Sequence, residues 1–283
     1  MKQIVVISGK GGTGKTVLSG SLAALANNKI MVDCDVDAAD LHLLLHPTVK
    51  ERHEFRSGQT AVIDKELCKR CGKCISVCRF GAIKDDFTVE RFSCEGCVLC
   101  SHICPYGAIH MEENVAGAWF ISDTSYGPFI HAKLGIAEEN SGKLVAKIRQ
   151  IAKEIAEKHV FGHIIIDGPP GIGCPVIASL SGVDCALIVT EPTLSGLHDA
   201  QRVMEVARHF NIPLKVVVNK YDLNPVITEK IENFCHGQSI PVVGRIPFDE
   251  TVVKALVERK IIIEYARSPA GKEIRKIWDE LRA

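Results

Sequence analysis

The chain of 283 residues lacks an excess of either charge, because 34 basic residues are offset by 34 acidic ones. With no net field there is no electrostatic footprint for a polyanion, and nucleic acid is not expected as a partner. Long apolar runs are missing as well: no stretch approaches the roughly 18 residues that cross a bilayer, so no membrane span is expected. The opening "MKQIVVISGK" has no basic region, long apolar core or small-residue cleavage site, and leads straight into a β-branched strand. A cytoplasmic protein is expected, in a compartment where disulfides are disfavoured. The remaining composition, 46% hydrophobic and 24% charged, is that of a globular protein with room for about two domains.

Cysteine is abundant. Of 12 cysteines, eight fall between Cys68 and Cys104, a density that in a reducing compartment points to metal. Cys34, Cys174, Cys185 and Cys235 are scattered and are read as small hydrophobes. "CKRCGKCISVCRFGAI" (68–83) and "CEGCVLCSHICPYGAI" (94–109) align at an offset of 26 residues, with all four cysteines and the trailing Gly-Ala-Ile in common. Each half reads Cys-x2-Cys-x2-Cys-x3-Cys, in which three thiolates hold one [4Fe–4S] cube and the fourth reaches the other cube. By that rule Cys68, Cys71, Cys74 and Cys104 hold cluster 1, and Cys94, Cys97, Cys100 and Cys78 hold cluster 2. Structural zinc is the competing reading, disfavoured because four-cysteine zinc sites usually use two separated Cys-x2-Cys pairs. On these motifs residues 58–113 resemble a bacterial two-cluster ferredoxin, with short strands "TAVID" before and "IHME" after. Such ferredoxins usually follow the fourth cysteine with proline, as in Cys104-Pro105; Cys78 is followed by Arg79, which bears on the hydrogen bonding and potential of cluster 2. His102 is read as a surface residue or one behind the ligands. A module this small buries little core, so the clusters are expected to hold it folded.

"GKGGTGKT", Gly9 to Thr16, fits the phosphate-binding pattern Gly-x4-Gly-Lys-[Ser/Thr], between a strand "QIVVIS" and a helix "KTVLSGSLAALANN". Gly9, Gly11, Gly12, Thr13 and Gly14 supply a loop whose backbone N–H groups turn toward the phosphates. Lys15 reaches the β and γ phosphates, and Thr16 offers its hydroxyl to Mg2+. The earlier Lys10 makes the string resemble the deviant Walker A motif of the MinD/ParA-type ATPases, a group that includes the Mrp-like iron–sulfur carriers and the nitrogenase iron protein. That resemblance implies an ATP-dependent homodimer in which Lys10 reaches the partner's phosphates. It also implies that Asp35, in "IMVDCDVDAADL", orients the attacking water, and that Asp167, in "HIIIDGPPGIG", contacts Mg2+ through water. Asp37 and Asp40 are read as flanking the next helix.

Alternating strands and helices continue downstream, so the expected fold is α/β. It is a doubly wound, mostly parallel P-loop sheet in residues 1–57 and 114–283, interrupted by a small α+β ferredoxin-type insert. Asn219, in "VVVNKYD", matches the family's base-recognising position, and Pro247, in "IPFD", the loop near the adenine. The same Asn-Lys-x-Asp string matches the guanine-reading motif with Asp222 as its carboxylate, so the residues leave the base open; family context favours ATP. Cys174, just past "GPPGIG", is expected to be a buried structural cysteine. In "GKEIRKIWDELRA", Ile274, Ile277, Trp278 and Leu281 share a helical face expected to pack on the protein's own sheet rather than a membrane. The functions carried forward are ATP-gated electron transfer to an unidentified partner, ATP-dependent cluster or metallocofactor assembly, and ParA-like positioning of cargo.

Overall fold

The computed structural model describes residues 1–135 and 140–282 and divides into two compact units. The first comprises Met1–Arg52, Trp119–Lys133 and Ser141–Ala283; the second comprises His53–Ala118 and Leu134–Asn140. In chain order the elements begin with β1 (Lys2–Ser8), α1 (Lys15–Leu25), β2 (Lys29–Asp33), α2 (Leu41–Leu45), β3 (Thr48–Ile63), α3 (Lys73–Val77) and α4 (Leu99–Ile103). They continue with β4 (Ile109–Thr124), β5 (Gly127–Leu134), α5 (Ser141–Lys158), β6 (His163–Pro170), α6 (Cys174–Leu180) and β7 (Cys185–Thr190). The last are α7 (Leu194–His209), β8 (Leu214–Asn219), α8 (Pro225–Gly237), β9 (Val242–Ile246), α9 (Glu250–Val257) and α10 (Pro269–Arg282). The strands of the first unit follow the order β5-β2-β6-β1-β7-β8-β9, with β4 and β3 continuing past β5.

Every recorded pairing from β5 to β9 is parallel, which explains the near-continuous apolar strands. Ile4 to Ile7 of β1 are fully buried, and so are Ile30 to Asp33 of β2. Helix starts follow their caps. Thr193 accepts from the Gly196 N–H ahead of α7, and Asn224 accepts from the Ile227 N–H ahead of α8, with Pro225 in the first turn. α10 buries Ile274, Ile277, Trp278 and Leu281, as its sequence pattern requires. Gly244 of β9 lets it approach, because a Cβ there would overlap Ile277. Among the described residues no helix is long and apolar enough to cross a membrane.

Some boundaries differ from the sequence-based expectation. "TAVI" closes and "IHME" opens two 16-residue strands, β3 and β4; the rest of β3 is mostly polar and exposed, whereas β4 runs on through the largely apolar "VAGAWFI". The strand carrying Asp167 does not end there but runs on to Pro170, since Ser8 of β1 still pairs with Pro170.

Within the second unit the duplication is visible in the backbone. α4 repeats α3 at the same 26-residue offset. Positive φ recurs at Arg70 (52°) and Gly96 (61°), at Gly72 (76°) and Val98 (60°), and at Gly81 and Gly107 (both 61°). Asp64 N–H donates to Ala108 O and Glu90 N–H donates to Ala82 O, each at 2.8 Å, so the halves exchange one equivalent bond in each direction.

Because α10 closes one side of the sheet through Ile277, Ile277→Ala is expected to destabilise the protein by about 2–5 kcal/mol. Chemical denaturation checks this, and an unchanged midpoint would contradict the packing.

Candidate functional site

Parallel strands deliver their carboxyl ends to one edge, and that edge collects the chemistry of the first unit. The loop Gly9–Thr16 leaves β1 and opens α1. Gly12 and Gly14 adopt φ of 78° and 88°, and a Cβ on Gly14 would overlap the Asn219 side chain. From the end of β8, Asn219 Nδ2 donates to Thr13 O at 2.8 Å, fastening the loop. Gly11 and Gly12 are exposed, while Thr13 and Lys15 are buried and Thr16 is half-buried.

Register makes the electrostatics. Asp33, the last residue of β2, pairs directly with Asp167 of β6, which sets two carboxylates side by side with exposures of 0% and 1%. Asp33 accepts from the N–H groups of Asp35 (3.0 Å) and Leu41 (3.3 Å). Burial, then the Asp167 charge, hold its carboxyl well above the usual range. Lys15 Nζ lies 3.4 Å from Asp35 and 3.7 Å from Asp167. Burial opposes its charge, but Asp167, Asp35 and Asp33 together raise its pKa above the ordinary lysine value. Asp35 is also raised, by burial, with Lys15 working in the opposite direction. Ser19, one turn along α1, donates to Asp167 Oδ1 at 2.8 Å, whereas Asp167 Oδ2 is buried with no hydrogen-bond partner.

Lys10 is held within its own chain. Its Nζ lies 3.3 Å from Ser195 Oγ, 3.4 Å from Thr193 Oγ1 and 3.9 Å from Glu191, and Glu191 also pairs with Lys220 at 2.5 Å. Asp222 Oδ1 accepts from the Phe248 N–H at 2.8 Å, tying the end of β8 to the loop that contains half-buried Pro247. Asp40 precedes α2 without a side-chain cap bond.

The second unit presents two cavities. One is lined by Cys68, Cys71, Cys74 and Cys104, the other by Cys94, Cys97, Cys100 and Cys78. Among the described residues no three His, Cys, Asp or Glu side chains converge as a single metal ion would require. Peptide N–H groups surround the remote cysteines: Ala108 N–H donates to Cys104 Sγ at 3.4 Å. Burial raises the Cys78 thiol, but the N–H groups of Ala82, Phe80, Ile83 and Gly81 outweigh it and lower the pKa. His102 is exposed. Cys34, Cys185 and Cys235 are buried, but Cys174 is exposed at the start of α6, which corrects the expectation of a buried residue. The turn after β6 carries it out of the core.

The family model for the CobQ/CobB/MinD/ParA nucleotide binding domain matches residues 4–262. The chain belongs to that family. An uncharacterized protein of Methanocaldococcus jannaschii is 36% identical, covering 99% of this chain and 96% of its own length. A protein of the same organism described as ATP-binding is 25% identical, covering 97% of this chain and 85% of its own. The septum site-determining protein MinD of Pyrococcus horikoshii, solved with Mg-ADP, superposes with a TM-score of 0.61 at 18% identity, covering 99% of this chain and 95% of that one. That likeness is one of fold.

The loop, Lys15 and the acidic cluster all lie within the stretch that the family model matches. Asp33, Ser19, Glu191 and Lys220 join the carboxyl edge without having been expected from sequence. For Asp33 the available signal was its place two residues before Asp35 at the end of an apolar strand.

In nucleotide-free protein, Lys15→Met removes the cation that opposes the raised carboxyls of Asp33 and Asp35, so these two should bind protons more tightly when folded. A folded-state carboxyl pKa above the unfolded value means stability is lost as pH rises through it. Thermal melts at about pH 5 and about pH 8 should show the variant losing more stability than wild type over that interval. Parallel pH profiles would contradict the charge cluster.

Proposed function

We propose that this protein is an ATP-hydrolysing iron–sulfur protein that transfers electrons through two [4Fe–4S] clusters to a partner protein under nucleotide control. The observation that carries the redox half is the composition of the two cavities. Each collects three cysteines of one repeat and the last cysteine of the other, the grouping that the spacing requires. In this reading Cys68, Cys71, Cys74 and Cys104 hold cluster 1 and Cys94, Cys97, Cys100 and Cys78 hold cluster 2, in a ferredoxin-type module spanning 58–113. When bound, the clusters supply one-electron storage. The surrounding peptide N–H groups stabilise negative charge on the cysteine sulfurs.

For the nucleotide half, the loop N–H groups and Lys15 bind the β and γ phosphates, with Thr16 and, through water, Asp167 holding Mg2+. The unpartnered Asp167 Oδ2 supports that fit, because it offers an acceptor to a metal-bound water. Asp35 orients a water toward the γ phosphorus. The new oxygen–phosphorus bond forms as the bond to ADP breaks, and the water's proton leaves with phosphate or solvent. A carboxylate that reads guanine accepts from two donors with both oxygens, and Asp222 already gives Oδ1 to Phe248. This supports ATP, with Asn219 and Pro247 beside the base. Lys10 reaches the partner's phosphates in an ATP-dependent homodimer once it leaves Glu191, Thr193 and Ser195. Gating requires that the two nucleotide states favour different cluster arrangements. ATP-dependent cluster or metallocofactor assembly uses the same sites, whereas ParA-like positioning needs no redox chemistry.

Protein purified without oxygen should carry about eight iron and eight acid-labile sulfide per chain, and stoichiometric zinc without broad visible absorption would overturn the cluster reading. In Asp35→Ala, ATP should drive a dimer seen by sedimentation, and adding Lys10→Ala should abolish it while leaving binding intact. Persistence of that dimer would leave Lys10 without a role across the interface.

A further inference from the structure

The duplication provides an internal control, because equivalent positions in the two halves have the same backbone conformation and differ in chemistry. Around the exposed middle cysteine of the first half, the loop reads Lys69-Arg70-Cys71-Gly72-Lys73; the second half reads Glu95-Gly96-Cys97-Val98-Leu99. Lys69, Arg70 and Lys73 are exposed and line the Cys68/Cys71/Cys74/Cys104 cavity, and none is ion-paired among the described residues. Their counterparts Glu95, Gly96 and Leu99 line the other cavity. Among the lining residues one cavity therefore has three positive charges and the other a single negative charge, with the exposed Arg79 beside the second between Cys78 and Phe80.

Two details make this difference more than drift. Gly96 is forced, since a Cβ there would lie 2.6 Å from Gln59 O, so the second half cannot carry arginine at that position. Arg70 is not forced. It occupies the left-handed region at φ 52°, a conformation that glycine adopts without strain, yet arginine stands there. With Arg70 between two exposed lysines at the edge of a thiol-lined cavity, three positive charges face solvent at one mouth. The exposed aromatic after each remote cysteine is common to both halves, Tyr106 at the cationic mouth and Phe80 at the other, so charge is what separates them.

We propose that the Lys69–Arg70–Lys73 surface is the docking site for an acidic electron-carrier protein, which is reduced by one electron as cluster 1 is oxidised by one, while the cluster 2 mouth has no affinity for such a carrier. This rests on the cluster reading above. The protein as a whole carries no net charge, so attraction of an acidic partner must come from a local field, which directs it to one mouth.

The test uses anaerobically prepared full-length protein and, as probe, a small acidic flavodoxin with its FMN bound. Calorimetry should give an affinity that weakens steeply with added salt. Grafting the second half's residues onto the first (Lys69→Glu, Arg70→Gly, Lys73→Leu) should lower affinity at least about tenfold and flatten the salt dependence. The single variant Lys73→Leu should show a smaller loss in the same direction. Unchanged affinity in an iron-replete triple variant would overturn the proposal. So would wild type binding the flavodoxin no tighter than it binds basic cytochrome c, or preferring a single-stranded RNA oligonucleotide through the same three residues. Iron and sulfide measured on the same samples keep the two readings apart. Wild type without iron removes the clusters and the electron exchange, whereas lost salt-dependent binding in iron-replete wild type removes the docking site alone.

Discussion

Adjacent parallel strands bring Asp33 and Asp167 into direct register at the carboxyl edge of the sheet, and burial denies both of them water. Two such carboxylates repel at close range in a poorly polarisable surrounding, so the fold around them has to supply neutralisation. Lys15 does this from the start of α1, the N–H groups of Asp35 and Leu41 do it for Asp33, and Ser19 does it for one oxygen of Asp167. The arrangement is poised. Any ligand that attracts Lys15, as phosphate would, withdraws the neutralising charge from Asp35 and Asp167, and a cation arriving with the ligand would replace it. The loop after β2 and the turn after β6 are thereby linked to ligand binding through one ammonium group.

The second unit depends on a different constraint. The buried cluster that contains its cysteines has Ala61, Cys74, Ile83 and Ile109 at its centre, with partly buried neighbours that include Cys78, Cys94, Cys100 and Cys104. Ile63, Ile75, Phe87, Val89 and Met111 pack around it as well, so apolar side chains and thiols share this small interior. Thiol groups from both halves are part of that interior. Such an interior is understandable when bonds to the thiolates supply the stability that apolar contact does not.

Much of this was legible in the sequence, because each legible part is a local spacing. The phosphate loop between a strand and a helix, Asp35 and Asp167 beside it, the apolar face of α10, and the 26-residue duplication all reappear in the backbone. What was not legible depends on pairing between distant segments. Asp33 gains its meaning only from register with Asp167, some 130 residues away, and Ser19 from the rotation of α1 toward β6. The Glu191 contact with Lys10 and Lys220 joins three loop positions that share no motif. Cys174 was expected inside the core because it lacks the further cysteines that a cluster would need, and only the turn after Pro170 exposes it. A polar, exposed stretch hid the true length of β3, because exposed residues carry no periodic signal.

One chain holding a nucleotide edge and a pair of thiol-lined cavities makes sense if the two exchange free energy. Linkage requires reciprocity: if ATP shifts the reduction potential of the clusters, reduction must shift ATP affinity by the equivalent free energy. The most direct measurement is a redox titration followed by electron paramagnetic resonance, with and without Mg-ATP, on wild type and on Lys15→Ala. The account predicts a nucleotide-dependent shift of roughly 40–130 mV, the equivalent of a coupling of about 1–3 kcal/mol, that disappears in the variant. Identical potentials with and without nucleotide in wild type would contradict it.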